Sequence, residues 1–212
     1  MNMKPMVQDG RSLRAQNIYD EKHKKLVNTA IKLLNNPLIP NEKINISLIA
    51  KHAGTSTATA YNHFPDNLLD VYGSIFAIAF QDIVDEVQKY NQTESNPLKQ
   101  INHYVDTQVD VCIELGNAVR EGFFQFRELL NSNKWIQGEP YSFLLNMCEE
   151  YKKVNTAIDY KLLADDIFVL WNGNIYLWMR FNPDFELWSK FNDEWLKLEM
   201  KKIVDKAILL QK

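Results

Sequence analysis

Residues 45–64 read NISLIAKHAGTSTATAYNHF, and no other stretch restricts the fold of this 212-residue chain as tightly. Ile46, Ile49, Ala50 and Ala53 recur at i, i+3, i+4 and i+7, the period of one buried helix face. Asn45 stands before them as an N-cap, and Gly54 follows as the residue best able to end a helix in the left-handed conformation. Thr55 and Ser56 then offer side-chain oxygens to cap a second helix at once. Ala58, Ala60 and Tyr61 keep that helix slim enough for a major groove about 12 Å wide. Two short helices joined by so tight a turn predict a helix-turn-helix that binds duplex DNA. A purely structural hairpin shows the same period, but rarely so many small hydroxylated residues beside Tyr and His.

The order Ile-Ala, Ala-Gly, Tyr-x-His-Phe resembles the DNA-binding domain of the tetracycline-repressor (TetR) family, over about Lys22 to Phe80. The resemblance implies that Thr57, Ala58 and Thr59 face the groove, with Asn62 further along the same helix and Ser47 where the first helix of the motif nears DNA. It implies that Tyr61 and His63 hold phosphates and that Phe64 plugs the small core. The chemistry fits, because Asn pairs bidentately with adenine, methyl groups touch thymine, and hydroxyl or imidazole donors suit phosphate oxygens. Two departures stand out. The family usually has a phosphate-contacting Lys about three residues after the Phe, where this chain has Pro65, Asp66 and Asn67. The connection NNPLIPNEK, residues 35–43, is longer than the family's and is broken by Pro37 and Pro40.

Charge is divided unevenly. Residues 1–65 hold 9 Lys and Arg against 4 Asp and Glu, whereas residues 66–212 hold 15 against 23. The basic end coincides with the motif, as a DNA-facing end must, although the whole chain carries a formal net charge of -3. Arg11, Arg14, Lys22, Lys24 and Lys25 lie at or before the first helix, where a flexible arm spanning residues 1–19 can reach phosphate or a minor groove.

The remainder predicts an all-α chain. Only 7 Gly and 7 Pro occur, and no sustained alternation marks a strand. The helix-turn-helix domain occupies residues 20–65, and a larger helical domain for effector binding and dimerisation occupies 66–212, with residues 66–90 as its connecting helix. Further helices are expected over residues 98–115, 118–130, 141–156, 160–181 and 185–210. The opening MNMKPMVQDGRS lacks the apolar stretch of a signal peptide and no run nears the roughly 18 apolar residues of a membrane span, so a cytoplasmic protein without membrane contact is expected. Cys112 and Cys148 fit no paired motif and read as small buried residues.

Within the last predicted helix the apolar stripe shifts by roughly 100° at helical pitch, to Leu196, Met200, Ile203, Ala207 and Leu210. Two packing partners are thereby expected: the core and a second subunit. Met200, Ile203 and Ala207, with Gly173 permitting close approach, are the candidate homodimer interface, and the resemblance implies a four-helix interface there. A twofold dimer reads a palindromic operator in double-stranded DNA. Tyr104, Gln108, Phe123, Phe126, Met147, Trp171 and Trp178, together with Trp135, form the candidate pocket for a small hydrophobic or aromatic effector.

His103, Asp106, Asp110 and Glu114 share one helix face and could hold a divalent ion, but they lie opposite the apolar face, as an ordinary solvated stripe does. No cofactor, metal or catalytic set is expected, since no phosphate loop, Gly-x-Ser-x-Gly elbow or His-Glu pair occurs. Three readings stay open: a ligand-released repressor, a DNA-binding regulator governed by a protein partner, and an all-α enzyme.

Overall fold

The computed structural model describes residues 10–125 and 139–211, and among these the chain consists of helices and turns. It divides into two compact units, Met1–Ile75 and Phe76–Lys212, each with its own core. The division falls ten residues later than the domain boundary read from the sequence.

In the first unit, α1 (Gly10–Leu34) packs against α2 (Ile46–Ala53), and α2 packs against α3 (Thr57–His63). Leu26, Val27, Ala30 and Leu34 of α1 are buried with Ile46, Ile49, Ala50 and Ala53 of α2, the four apolar positions picked out by period. The Asn45 side chain accepts the Leu48 N–H at 2.9 Å, and Gly54 ends α2 at φ 66°, ψ 38°, a left-handed conformation that costs other residues about 1–2 kcal/mol. Between Asn45 and α1 the predicted long connection is present, with one 3-10 turn at Asn41–Lys43. The part of the predicted flexible arm within the described residues needs correction: residues 10–19 form the first turns of α1, exposed from Arg11 onward. Extending an existing helix adds one hydrogen bond per residue with no new nucleus, and Gln16 Nε2 donates to Asp20 Oδ1 one turn away at 2.8 Å.

The helix α4 (Leu68–Asn91) crosses the division, and the second unit continues with α5 (Pro97–Leu115), α6 (Asn117–Phe124), α7 (Glu139–Val154) and α8 (Tyr160–Met179). These agree with the expected helices to within two residues wherever both ends are described; the later half of 118–130 lies outside the described residues. The expected single helix over 185–210 is instead three: α9 (Glu186–Ser189), α10 (Asp193–Met200) and α11 (Ile203–Leu209). Asn192 starts α10 by accepting the Trp195 N–H at 2.9 Å, and a turn at Lys201–Lys202 separates α10 from α11.

That break explains the shifted stripe. Once the chain bends, Leu196, Met200, Ile203 and Ala207 of that stripe, joined by Val204, reach the core of their own chain, each no more than 1% exposed, whereas Leu210 stays 68% exposed; α10 packs on α5 and α8, and α11 on α8. Met200, Ile203 and Ala207 are therefore core residues of one chain and not an interface between two. Ile203→Ala should cost about 2–5 kcal/mol and lower the melting temperature while leaving the oligomeric state of the folded protein unchanged. Calorimetry with light scattering checks both, and dissociation without destabilisation would return Ile203 to an interface.

Candidate nucleic-acid interface and effector cavity

The second helix of the motif, α3, is capped by Ser56, whose hydroxyl accepts the Thr59 N–H at 3.0 Å and lies 2.8 Å from Thr59 Oγ1. Thr59, half-buried, thus has its hydroxyl engaged in the cap. Thr57, Ala58, Tyr61 and Asn62 fall at i, i+1, i+4 and i+5 and are all exposed, while Ala60 on the other side is buried. Ser47 is exposed in the first turn of α2. This leaves a narrow polar and methyl-bearing surface of the kind that reads a major groove.

His63 does not belong to that surface. It is 7% exposed and stacks beneath Tyr19 of α1 at 4.1 Å, with the His23 ring 5.5 Å away, so the imidazole expected at a phosphate is a packing element between α1 and α3. His23 faces Ser74 Oγ at 3.1 Å, and the Nδ1 atoms of both histidines are buried without a partner. Burial lowers the His23 pKa against the opposing pull of Asp20 and Asp70. Burial also lowers His63, and the neighbouring His23 and Lys22 charges add to it. A resemblance to a motif cannot supply this, because only the placement of Tyr19 decides it.

At the turn after Phe64, the Asp66 N–H donates to Asp70 Oδ2 at 2.6 Å and Asn67 sits at φ 58°. The family's phosphate-holding Lys is thus replaced by an acidic, tightly bonded turn. On α1, Arg11, Arg14, Lys22 and Lys25 lie within about 80° of one another around the helix and are exposed, so positive charge runs along one side of the helix.

In the second unit a cavity of about 380 Å³ is lined by residues of α4 through α8. Of the expected residues, Tyr104, Gln108, Phe123 and Trp171 line it. Phe123 meets Phe76 edge-on at 5.1 Å and Trp171 at 6.3 Å. Met147 does not line it; it borders a separate polar depression with Gln88, Asn91 and Gln100. Trp178 does not either: fully buried, its Nε1 donates to Asp193 Oδ1 at 2.8 Å, and the Arg120 guanidinium lies 4.2 Å over its ring and 3.2 Å from the same carboxylate. Phe126 and Trp135 lie outside the described residues. Phe76, Ala79, Phe80 and Ile83 of α4 also line it, beyond the residues expected from the sequence; their i, i+3, i+4, i+7 spacing is the local signal that marks this apolar face of the connecting helix.

The metal-capable face on α5 is otherwise occupied. His103 stacks on Tyr90 at 3.9 Å and Asp110 lies 4.0 Å from Lys197 Nζ. Among the described residues, no three His, Cys, Asp or Glu side chains converge as a metal site.

No protein-family model matches this chain, and no curated protein matches it in sequence. Solved structures do match in fold. A candidate TetR-family transcriptional regulator from Syntrophomonas wolfei str. Goettingen superposes with a TM-score of 0.59 over 91% of this chain and 95% of its own, at 14% identity. A candidate TetR-family transcriptional regulator from Mesorhizobium loti MAFF303099 gives a TM-score of 0.60 over 91% and 97%, at 16% identity. The chain has the TetR fold.

On this TetR scaffold the outward side of α8 carries Leu162, Val169 and Tyr176, 46%, 68% and 50% exposed, with Gly173 between them. A Cβ built on Gly173 would meet nothing within 4 Å, so within one chain the glycine is not needed for packing. Among the described residues no single helix is long and apolar enough to cross a membrane.

Two outcomes follow for the TetR-like N-terminal unit. Asn62→Ala should reduce discrimination between cognate and scrambled duplexes by about 1–3 kcal/mol, whereas Tyr61→Phe should weaken both alike; gel shifts in which neither changes binding would remove α3 from the interface. With folded-state histidine pKa values below the unfolded value of about 6.5, the unfolded chain takes up protons first on acidification. Stability of this unit is then full above about pH 6.5 and falls below it, and His63→Phe, which keeps a ring under Tyr19, should flatten that slope in calorimetry.

Proposed function

We propose that this chain is a DNA-binding transcriptional regulator that acts as a homodimer on an inverted-repeat operator and is released by a small apolar or aromatic ligand. The observation that carries the reading is the free face of α3, where Thr57, Ala58, Tyr61 and Asn62 stand clear of the helix-turn-helix core of a TetR-type fold. Ser47 and the basic side of α1 are suited to flanking phosphates, a contribution that weakens steeply with salt. Duplex DNA as the partner makes the cytoplasm the place of action.

One recognition helix reads only a few base pairs, so a second copy related by a twofold axis is needed for operator affinity. The outward face of α8 is the surface we assign to that copy. Its apolar residues continue toward Leu209 and Leu210, because the Asp159 N–H donates to Gln211 Oε1 at 3.0 Å and ties the start of α8 to the chain just after α11. Open space at Gly173 allows a partner backbone to come close.

Ligand control rests on α4. It contributes Val71 and Ile75 to the core of the first unit and Phe76, Ala79, Phe80 and Ile83 to the cavity wall. A ligand that fits better with one disposition of α4 shifts the population toward it, and by linkage DNA must weaken that ligand's binding by the same factor. Control by a protein partner requires a filled core, and the 380 Å³ cavity favours a small molecule. An enzyme requires convergent polar groups in a cleft, whereas the described lining is chiefly apolar.

Selection of bound fragments from random duplexes should recover an inverted repeat; recovery of single half-sites would remove the dimer from the reading. Gly173→Trp should leave each chain folded, give monomers in light scattering and lower operator affinity by about tenfold or more. A variant that stays dimeric places the interface on another surface.

A further inference from the structure

We infer that the cavity selects an uncharged ligand with a planar or apolar body and one hydrogen-bonding group, and that Gln108 is the residue that reads this group. The inference rests on the reading of the cavity as an effector site and concerns the chemistry of what fills it. None of the described lining residues is Asp, Glu, Lys, Arg or His. The titratable groups in the wall stay neutral: burial pushes the Cys112 thiol up to about 12 and the Tyr104 phenol further still, and Tyr141, whose hydroxyl donates to Asp165 Oδ1 at 2.6 Å, is held at about 12. Against the described lining residues an anion or cation would lose its hydration and find no charged partner, Asp165 being held behind the Tyr141 hydroxyl, which is costly enough to disfavour it.

The polar groups of the wall are mostly spoken for. The Tyr104 hydroxyl donates to the Pro140 carbonyl at 3.0 Å, and Asn172 Nδ2 donates to the Phe168 carbonyl at 2.7 Å. Trp171 Nε1 has no partner but is sealed from water-sized contact, so the ring must turn before a ligand can use it. Gln108 differs. It lies one turn from Tyr104 and one turn from Cys112 on the same face of α5, lines the cavity, is only half-buried, and its carboxamide makes no hydrogen bond among the described residues. A carboxamide both donates and accepts, so it can pair with a hydroxyl, carbonyl or amide of a neutral ligand. With a volume of about 380 Å³, near the lower end of the roughly 300–1,000 Å³ usual for ligand pockets, the cavity admits a compact molecule.

The test uses three probes of one shape on the full chain, followed by tryptophan fluorescence and titration calorimetry: naphthalene, 2-naphthol and 2-naphthoate. Wild-type protein should bind 2-naphthol about two- to twelvefold more tightly than naphthalene, and 2-naphthoate about a hundredfold more weakly than 2-naphthol or not at all. In Gln108→Met, a near-isosteric change, the preference for 2-naphthol over naphthalene should vanish while naphthalene binding persists. Should that variant fail to fold, Gln108→Asn withdraws the amide by one methylene and should diminish the same preference. Naphthoate binding as tightly as naphthol, or a preference that survives both substitutions, overturns the inference and leaves the effector reading standing. Binding of none of the three probes to the wild-type chain overturns the effector reading and this inference with it.

Discussion

One helix serving two hydrophobic cores is the constraint on which the rest depends. The α4 backbone is a single ladder of i to i+4 hydrogen bonds from Leu68 to Asn91, and its early turns bury Val71 and Ile75 in one unit while its later turns bury Ile83 and Val87 in the other. Breaking such a ladder leaves several backbone groups unpaired, so the sequence must feed both cores at one helical period. The same helix exposes Phe76, Ala79 and Phe80 to a cavity of the second unit.

The two ends of the chain solve opposite problems. In the first unit Ala30, Ala50, Ala53 and Ala60 are buried between bulkier residues such as Leu26, Ile46, Ile49 and Phe64, and the small Thr57 and Ala58 keep the exposed side of α3 narrow. His63 under Tyr19 fills the gap between α1 and α3, and its burial there lowers its pKa. In the second unit the core is bulky, and its polar pin is specific: one Asp193 oxygen receives both the Trp178 indole N–H and the Arg120 guanidinium. With that pair satisfied, a large indole is buried without an orphaned donor, and α6, α8 and α10 are held at fixed positions around the cavity.

Much of the fold was legible because it is written locally. The periods of Ile46, Ile49, Ala50 and Ala53, the caps at Asn45 and Ser56, and the stop at Gly54 each depend on neighbours within a few residues. Four of the pocket residues, Tyr104, Gln108, Phe123 and Trp171, were found for the same reason: a face of a helix is a property of spacing. Expectations that depended on long-range packing are the ones the structure changes. Met200, Ile203 and Ala207 looked like spare apolar surface only while residues 185–210 were drawn as one straight helix.

The sequence by itself determined the all-α class, the position and polarity of the helix-turn-helix and the uneven charge, since propensity, capping and period act over one or two turns. The tertiary structure alone decided that His63 is packed and not presented, that Trp178 is a pin and not a lining residue, and that α4 shares in the cavity. Those are relations between residues far apart in the chain, Tyr19 with His63, Trp178 with Asp193 and Arg120, Phe76 with Phe123. Side-chain burial is set by what arrives from elsewhere, and no local pattern encodes the arrival.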